Sequence, residues 1–394
     1  MKKLLFLISN LQGGGAERAA ARLSLALQKH YQIYWIIRSH APPVYPIGGE
    51  ILSDPTFDLP LFPPSLRSLQ NFWQLARKIH SLKRTLRPFL TLSFMRGSNL
   101  LNVLTGGPTL LSLRSYPTLY SLPLLRKPFN FFLLHLYRKA NLVVPNSQAT
   151  ACFLKRYLPR HKIFPIPNFL FPPQLPPPTF LPPTPTLITM GRLDKLKGHI
   201  HLLRVWPYLK QAFPKLQLHF LGAPPAYKKI DVSSQLQKYA QNLPGAEDIH
   251  FLGFQSDPFP YLRQATIFAF PSLHEGFPNA ILEALACALP VVSADCLSGP
   301  REILAPNTPV LKQTQEVEFA PYGILFPVPD GRFRPPQTPL TYAEKCLKDA
   351  ILSLLRNPQQ QKHYRQRALE RAQHYHPHRI LPLWLNALQR ATRC

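Results

Sequence analysis

Short apolar runs alternate along the chain with longer stretches in which apolar residues recur at helical spacing. The runs that predict buried strands are Leu4–Ile8, Ile33–Ile37, Thr91–Phe94, Leu110–Leu113, Leu142–Pro145, Leu187–Met190, Leu216–Leu221, Ile249–Leu252, Ile267–Phe270, Val291–Val292 and Gly323–Phe326. Helical spacing predicts helices over Ala16–Lys29, Phe72–Leu86 and Tyr342–Leu355. This alternation is typical of parallel α/β sheets covered by helices on both faces.

A proline-rich stretch divides the pattern into two halves. Residues 172–185 contain eight prolines in fourteen positions, a composition that excludes a helix or a central strand. We therefore expect an extended connector between two Rossmann-like domains, 1–171 and 186–374, that face each other across a cleft. The last residues, 375–394, are expected to form a helix that returns to the N-terminal domain. A proline-rich surface loop within one domain remains the alternative.

Composition narrows the class of protein. Hydrophobic residues make up 45% of the 394 residues, as in ordinary globular proteins, and no apolar run approaches the roughly 18 residues that span a bilayer. The start, MKKLLFLISNLQGGG, is too briefly apolar for a signal peptide and is expected to be a first strand and a glycine loop. The five scattered cysteines lack metal-ligand spacing, which favours reduced thiols in a cytoplasmic protein without zinc.

The formal charge of +27 indicates an anionic partner. Residues 1–180 carry 22 Lys and Arg against 4 Asp and Glu, and residues 181–394 carry 24 against 15. A phosphorylated substrate, an anionic lipid surface and a nucleic acid all fit this charge. The chain has no zinc finger, helix-turn-helix or aromatic RNA-binding motif, so a nucleic-acid-binding protein is the weaker alternative.

Polar and glycine residues follow several predicted strands. Gly13–Gly15 lie between the first strand and a helix, where the backbone can approach an anion, although a structural turn explains them equally well. Arg192 and Lys197 leave the end of a strand together in TMGRLDKLKGH, residues 189–199. Ligands bind at this edge of open α/β sheets, and two cations there suit a diphosphate.

Two glutamates flank a Gly-Phe-Pro-Asn turn eight positions apart. Glu275 is expected in the turn and Glu283 within the following helix, with Pro278 in its first turn. Carboxylates accept hydrogen bonds from vicinal hydroxyls, so the pair suits a sugar and a ribose of one ligand. A further strand-to-helix turn, SADCLSGPREIL, follows on the same expected sheet edge.

These motifs together resemble the retaining glycosyltransferases of family 4, which have the GT-B fold. The resemblance rests on GGGAER at 13–18, on Gly191-Arg192 with Lys197-Gly198, on HEGFPN at 274–279 through Glu283, and on SGPRE at 298–302 and YGILFPVPD at 322–330. It spans nearly the whole chain in the family's order.

The resemblance implies a role for each matching residue. Glu283 would bind the ribose hydroxyls of a nucleotide sugar, and Glu275 would lie at the transferred sugar near the reacting face. The donor would also be held by the backbone or side chains of Gly14, Gly15, Arg192, Lys197, Gly276, Phe277 and Asn279. Transfer would occur on the front face with retention, and the cations and helix N-termini would stabilise the leaving diphosphate in place of a metal.

One position departs from the family's pattern. Many members place a histidine after the fourth strand of the N-terminal domain, whereas this chain has LLSLRSYP at 110–117. A Ser-x-Arg there resembles the subgroup that acts on polyprenyl-linked or surface-glycan acceptors, often with UDP-N-acetylhexosamines. Arg114 is therefore carried over as a catalytic residue, and a histidine-based role is in doubt.

The implied function is transfer of a hexose or N-acetylhexosamine from a nucleotide sugar, with UDP as the expected nucleotide, to a lipid-linked or lipopolysaccharide-type glycan. No cofactor and no metal are expected. The expected location is cytoplasmic and peripheral, on the inner face of an anionic membrane that the basic segment 124–142 could contact. A helix that packs on the sheet and has basic ends explains this segment at least as well. A nucleotide-sugar epimerase or an α-glucan synthase of the same fold remains the alternative.

Overall fold

The computed structural model describes residues 1–39, 41–58, 66–117, 126–171, 184–224 and 232–393. The chain forms two units, the first comprising Met1–Phe169 and Pro377–Cys394 and the second Leu170–His376. The expected proline-rich connector lies almost entirely at 172–183, outside the described residues. None of the described helices combines the length and the hydropathy that a membrane-spanning segment requires.

Six parallel strands form the sheet of the first unit in the order β3-β2-β1-β4-β5-β6. The strands are β1 Lys3–Ile8, β2 Gln32–Ile37, β3 Glu50–Leu52, β4 Leu90–Phe94, β5 Thr109–Leu113 and β6 Leu142–Pro145. The helices are α1 Gly15–Leu27, α2 Leu66–Leu86, α3 Arg96–Leu104, α4 Arg126–Tyr137, α5 Gln148–Leu154 and, from the end of the chain, Pro377–Arg393.

Alternating side chains of β1 pack against helices on opposite faces of the first sheet. Leu4 and Phe6 pack with α1 and with the terminal helix, which contributes the buried Trp384. Leu5 and Leu7 lie on the other face, where α2 packs and α3 and α4 follow side by side across the neighbouring strands. This two-sided burial explains why the strands are continuous apolar runs.

The second unit contains a seven-stranded sheet in the order β12-β13-β11-β10-β7-β8-β9. The strands are β7 Thr186–Met190, β8 Gln217–Leu221, β9 Ile249–Phe251, β10 Ile267–Phe270, β11 Val291–Ala294, β12 Glu318–Ala320 and β13 Gly323–Phe326, and β12 alone is antiparallel to its neighbour. The helices are α6 His199–Ala212, α7 Val232–Gln241, α8 Phe259–Arg263, α9 Asn279–Ala286, α10 Pro300–Leu304, α11 Tyr342–Arg356 and α12 Pro358–Gln373, and the terminal helix of the first unit is α13.

Two core clusters cover the faces of this second sheet. Leu187 and the other side chains on its face of the sheet pack with α6, α7 and α11. On the opposite face, Ile188 and Phe268 pack with α9, α10 and α12. Each unit is thus a parallel sheet between two helix layers, as the alternating sequence pattern predicts.

The structure differs from the sequence prediction at element boundaries and at two edge strands. Helix α2 begins at Leu66 rather than Phe72, and the short strands β3 and β12 were not predicted. Glu50–Leu52 and Glu318–Ala320 each combine polar and partly exposed positions, so they lack the apolar run that marks a central strand.

Candidate functional site

Three neighbouring strands of the second sheet end in the loops that carry the predicted donor residues. The strands β11, β10 and β7 are adjacent and parallel, so the loops that begin at Asp295, Pro271 and Gly191 leave the same edge. Carboxyl ends of parallel strands are where open α/β sheets bind ligands.

The loops after β7 and β10 are joined through their backbones. The amide of Leu273 donates to the carbonyl of Leu196 at 2.8 Å, and the Ser272 hydroxyl oxygen lies 3.2 Å from the same carbonyl oxygen. Gly198 adopts a left-handed conformation with φ of 64°, and a Cβ there would overlap the carbonyl oxygen of Pro271. Only glycine permits this approach, which fixes Lys197 beside the glutamate turn.

Lys197 and Glu275 form an ion pair between these two loops. The Lys197 ammonium lies 2.5 Å from Glu275 Oε1, and the Ser272 hydroxyl donates to the same oxygen at 2.7 Å. Their side chains are 18% and 10% exposed, so the pair lies at the boundary of solvent, where a ligand could reach it. The ammonium also lies 5.7 Å from the centre of the Phe270 ring.

Arg192 is held at the start of the same loop. Its Nε lies 3.4 Å from Asp194 Oδ2, and its guanidinium-bearing side chain is 38% exposed. The buried His199 ring donates from Nε2 to the Arg192 carbonyl at 3.2 Å, and burial lowers the pKa of His199 to about 4. Asp194 and His199 therefore fix the loop while Arg192 stays accessible to an anion.

The Gly-Phe-Pro-Asn turn is anchored from the third loop. The Ser298 hydroxyl donates to the carbonyl of Gly276 at 2.7 Å. Phe277 is buried and packs against Tyr375, with 5.5 Å between ring centres, so its side chain serves the core and its backbone faces the turn. The prediction that Pro278 lies within the first helical turn is wrong, because α9 begins at Asn279 and Pro278 is the residue before it.

Glu283 lies inside α9 and is fully buried. Burial raises the pKa of the Cys287 thiol, and the Glu283 carboxylate raises it further. The two side chains therefore lie close together, one helical turn apart. The position inside the helix agrees with the predicted spacing from Glu275. Ribose binding by Glu283 stays a prediction.

Two further titratable groups lie beside the ion pair. Burial lowers the pKa of His274 to about 4, the Glu275 carboxylate acts in the opposite direction, and Lys197 adds to the lowering. Burial raises the pKa of the Cys296 thiol well above its usual value, and the Glu275 carboxylate acts in the same direction. Both side chains are therefore neutral at pH 7, so the charges of the site belong to its lysine, arginine and carboxylates.

Arg114 lies in the first unit, in contact with the terminal helix. Its Nη1 donates to Asn168 Oδ1 at 2.6 Å, and its guanidinium lies 5.3 Å from the Phe94 ring centre and 5.4 Å from that of Trp384. Burial lowers the pKa of Arg114 to about 9, so the side chain remains charged at neutral pH. These contacts hold the guanidinium in one place.

The glycine loop of the first unit begins α1. Gly14 is the residue before the helix, and a Cβ there would overlap the carboxylate of Glu17, which is buried in the first turn. A carboxylate of the chain itself thus lies at this helix N-terminus, where an anion is favoured. Donor binding by Gly14 and Gly15 stays a prediction.

The structure groups seven of the predicted residues in the second unit: Arg192, Lys197, Glu275, Gly276, Phe277, Asn279 and Glu283. Gly14, Gly15 and Arg114 belong to the first unit. Sequence reasoning missed Ser272, Ser298 and His274. The two serines stand at or just after strand ends, which is the signal that could have identified them.

The SGPRE segment has a structural role. Arg301 is buried, and it donates from Nε to Asp295 Oδ2 at 3.0 Å and from Nη2 to Glu318 Oε2 at 2.8 Å. The guanidinium thereby joins the loop after β11 to the edge strand β12. Within the described ranges, no three His, Cys, Asp or Glu side chains cluster closely enough to hold a metal ion.

Comparison with known proteins identifies the family. Residues 13–170 match the profile described as "Glycosyltransferase Family 4", and residues 184–321 match "Glycosyl transferases group 1". The two matches follow one another along the chain and include every predicted donor residue. The chain belongs to glycosyltransferase family 4.

Individual relatives agree with this assignment. An uncharacterized glycosyltransferase of Methanocaldococcus jannaschii is 32% identical over 200 residues, which span 50% of this chain and 48% of that protein. The N-acetylgalactosamine-N,N'-diacetylbacillosaminyl-diphospho-undecaprenol 4-alpha-N-acetylgalactosaminyltransferase of Campylobacter jejuni is 28% identical over 77% of this chain and 83% of that protein.

Solved structures define the fold. Anabaena HepE, crystallised in complex with UDP, superposes with a TM-score of 0.71 at 19% sequence identity and covers 98% of this chain and 99% of its own. The fold is GT-B, with two Rossmann-like domains, as the resemblance implies.

Proposed function

We propose that this protein transfers a hexose or N-acetylhexosamine from a UDP-sugar to a lipid-linked or lipopolysaccharide-type glycan, with retention of the anomeric configuration and without a metal. The observation that carries the proposal is the Lys197–Glu275 ion pair at the carboxyl edge of the second sheet, beside the N-terminus of α9 and the accessible Arg192. Cations and a helix N-terminus favour a diphosphate, and a carboxylate suits sugar hydroxyls, and this edge offers all three.

The two cations have separate tasks in this mechanism. As the bond between the anomeric carbon and the β-phosphate oxygen breaks, negative charge grows on the leaving diphosphate. Arg192 can bind two phosphate oxygens at once, and Lys197 adds a point charge on the side of the sugar. Asp194 holds Arg192 and Glu275 holds Lys197, so their stabilisation of the leaving group requires little reorganisation.

Glu275 acts on the other end of the bond. Its Oε1 accepts from Lys197 and Ser272, which leaves Oε2 for a hydroxyl of the transferred sugar. The carboxylate also stabilises positive charge that develops at the anomeric carbon. The acceptor hydroxyl attacks on the face that the leaving group vacates, and its proton passes to the diphosphate.

The choice of substrates draws on the relatives. The fold-related HepE is described in complex with UDP, which makes UDP the first nucleotide to test. The C. jejuni relative is named for transfer to a sugar on diphospho-undecaprenol, an anionic lipid. The formal charge of +27 suits such an acceptor, and a peripheral location on the inner face of an anionic membrane follows from it.

A donor screen tests the proposal directly. UDP release should be measured with UDP-glucose, UDP-galactose and their N-acetylamino forms, with and without a diphosphate-linked lipid acceptor and a lipopolysaccharide core. Nuclear magnetic resonance of the product should show the donor's α-configuration, and turnover should survive a chelator. An inverted product or strict dependence on a divalent ion would contradict retention or metal independence respectively.

The alternatives give different results in the same screen. Interconversion of UDP-sugars without an acceptor would identify an epimerase, and elongation of a glucan by itself would identify a synthase. Salt-sensitive binding of RNA or duplex DNA without sugar release would favour a nucleic-acid-binding protein.

A further inference from the structure

The helices α2, α3 and α4 cover one face of the first sheet side by side, and their outer surfaces form what we term the α2–α4 face. α3 packs on β4 and β5 and contacts α4, while α2 packs over β1. The buried side of α4 is apolar where it is described, whereas α3 also buries Ser98, Asn99 and Asn102. The exposed sides are the unusual feature.

Helix α4 exposes apolar side chains as well as burying them. Leu133, Leu134 and Tyr137 point into the core. Phe131 and Phe132 stand on the opposite side and are 64% and 58% exposed. A globular helix normally has polar residues on its outer side, so two adjacent exposed phenylalanines call for a partner.

Basic residues continue the stripe that the phenylalanines begin. His135, Arg138 and Lys139 follow Phe131 at intervals of four, seven and eight residues, and all three are exposed. The Lys162 ammonium donates to the carbonyls of Arg138 and Ala140 at 2.8 and 3.0 Å, which fixes the end of the helix. The phenylalanines and the cations therefore form one ordered surface.

Helix α2 repeats this arrangement. Leu69 and Trp73, four residues apart, are 55% and 49% exposed. Arg77 and Arg84 are exposed further along the helix, beyond the tryptophan. Exposed apolar residues and exposed basic residues thus occur together on the outer side of both helices, and both kinds of side chain contribute to binding at a membrane interface.

The charged residues within the helices of this face are all basic, and Lys78 of α2 pairs with Asp54 from the preceding loop. No Asp or Glu occurs from residue 59 to residue 193, a stretch of 135 residues that carries 17 Lys and Arg. A surface on which apolar side chains stand among cations, with no acid in its helices, complements anionic lipid better than a typical protein partner, whose surface mixes both signs.

We propose that the α2–α4 face is a membrane-docking surface that places Trp73, Phe131 and Phe132 in the headgroup region of an anionic bilayer, with Arg77, Arg84, Arg138 and Lys139 on the lipid phosphates. The proposal deepens the proposed function, on which it rests only for the lipid nature of the acceptor. Because the aromatic side chains would insert among the headgroups, the proposed binding does not depend on electrostatic attraction alone. Part of the binding must persist when salt screens the charges.

Vesicle flotation of the full chain tests the proposal. The parent should bind vesicles of phosphatidylcholine and phosphatidylglycerol and bind neutral phosphatidylcholine weakly. Phe131→Ser with Phe132→Ser should lower the affinity roughly tenfold or more, because the apolar contribution is lost. Arg138→Ser with Lys139→Ser should lower it roughly fivefold per charge at ~0.1 M salt and have little effect at ~1 M.

Matched controls separate docking from general effects. Phe319→Ser removes a phenylalanine of the second unit that is 55% exposed, and Lys215→Ser with Lys362→Ser removes two exposed cations there. The proposal is overturned if the parent does not bind anionic vesicles, if the phenylalanine variant binds like the parent, or if Phe319→Ser weakens binding equally. A phenylalanine-dependent dimer in sedimentation velocity without vesicle binding would assign the face to a second copy and overturn it also.

Donor hydrolysis in the absence of lipid keeps the two proposals distinguishable. The phenylalanine variant should release UDP from the donor as fast as the parent, because none of the predicted donor residues lies in α2, α3 or α4. Vesicle binding by a chain that cleaves no UDP-sugar would refute the proposed function alone. Sugar cleavage without vesicle binding would refute the docking surface alone.

Discussion

The ammonium of Lys197 and the carboxylate of Glu275 lie 2.5 Å apart although 78 positions separate them in the chain. The pair joins the loops after β7 and β10, which their backbones also join through Leu273 and Leu196. In the proposed mechanism, a diphosphate that approaches Lys197 would share the lysine with Glu275. Donor binding would then leave the carboxylate partly released towards the sugar.

Replacing Lys197 should separate catalysis from stability. Lys197→Met is expected to cut the turnover of UDP release by tenfold or more, because a stabiliser of the leaving group is lost. It should also cost about 1–3 kcal/mol of folding stability, since Glu275 loses a charged partner. In Lys197→Met with Glu275→Gln, the melting temperature should recover while the turnover stays low.

The same loop offers a control for Lys197. Lys195→Met removes an exposed cation two residues away and should leave both turnover and melting temperature near those of the parent. Full turnover of Lys197→Met would contradict its role on the diphosphate. Arg192→Ala is expected to lower turnover to a similar degree.

Glu283→Gln should weaken nucleotide binding. The substitution keeps the shape of the buried side chain but removes the charge that the ribose hydroxyls would meet, a loss of about 1.5–3 kcal/mol. Titration calorimetry with UDP measures the effect, and Glu247→Gln, an exposed position in the same unit, serves as the control. Equal affinity of Glu283→Gln and the parent would remove the ribose assignment.

Acid should destabilise the donor site through His199. Its pKa is near 6.5 in the unfolded chain and about 4 in the folded one, so the unfolded chain binds the proton first as the pH falls. The stability contributed by neutral His199 is complete above about pH 6.5 and decreases towards pH 4, by on the order of 2–3 kcal/mol. His199→Gln should therefore lose less stability than the parent between pH 7 and pH 5, as thermal melts at each pH would measure. Parallel melting curves for both proteins would contradict the assignment.

We expect the stability of the second unit to depend strongly on the Glu344 carboxylate. It is fully buried, and Oε1 accepts from Arg204 Nε at 2.6 Å and from His201 Nδ1 at 2.8 Å. Burial alone would raise the pKa of Glu344, but the hydrogen bonds from His201 and Arg204 lower this pKa to about 2. Glu344→Gln is expected to cost about 3–5 kcal/mol, because the Arg204 charge stays buried without its partner.

A surface carboxylate gives the reference for Glu344. Glu370 pairs with Arg367 but is 49% exposed, so Glu370→Gln should change stability by less than about 1 kcal/mol. Melting temperatures of the two variants, compared with the parent, decide the prediction. A loss at Glu344 no larger than at Glu370 would show that the buried network adds little.

The sheets could be predicted from the sequence because their strands are buried on both faces. Continuous apolar runs such as Leu4–Ile8 and Ile267–Phe270 are recognisable in the sequence without knowledge of the neighbouring strands. The structure contains strands at both. The edge strands β3 and β12 could not be predicted, since three residues with mixed polarity resemble a loop. Their position depends on the neighbouring strand, which local sequence does not encode.

The sequence allowed the donor residues to be predicted as a group, but not the contacts that they make with one another. Strand ends and family spacing bring Arg192, Lys197 and Glu275 to one edge. The ion pair itself depends on the left-handed Gly198 and on the hydrogen bond from Leu273 to Leu196, which are properties of two loops packed together. Likewise, nothing near Arg114 in the sequence indicates Trp384 as its neighbour, because α13 is supplied from the far end of the chain.

The return of α13 makes the second unit an insertion within the first. The two ends of the insert are adjacent, since the amide of Leu170 donates to the carbonyl of Tyr375 at 3.2 Å. A fragment of residues 170–376 therefore keeps its whole core, whereas truncation after Phe169 removes Trp384 and exposes the sheet face around Phe94. To obtain the first unit alone, a short linker must replace the insert and join residue 169 to residue 377, which keeps the order of the two segments.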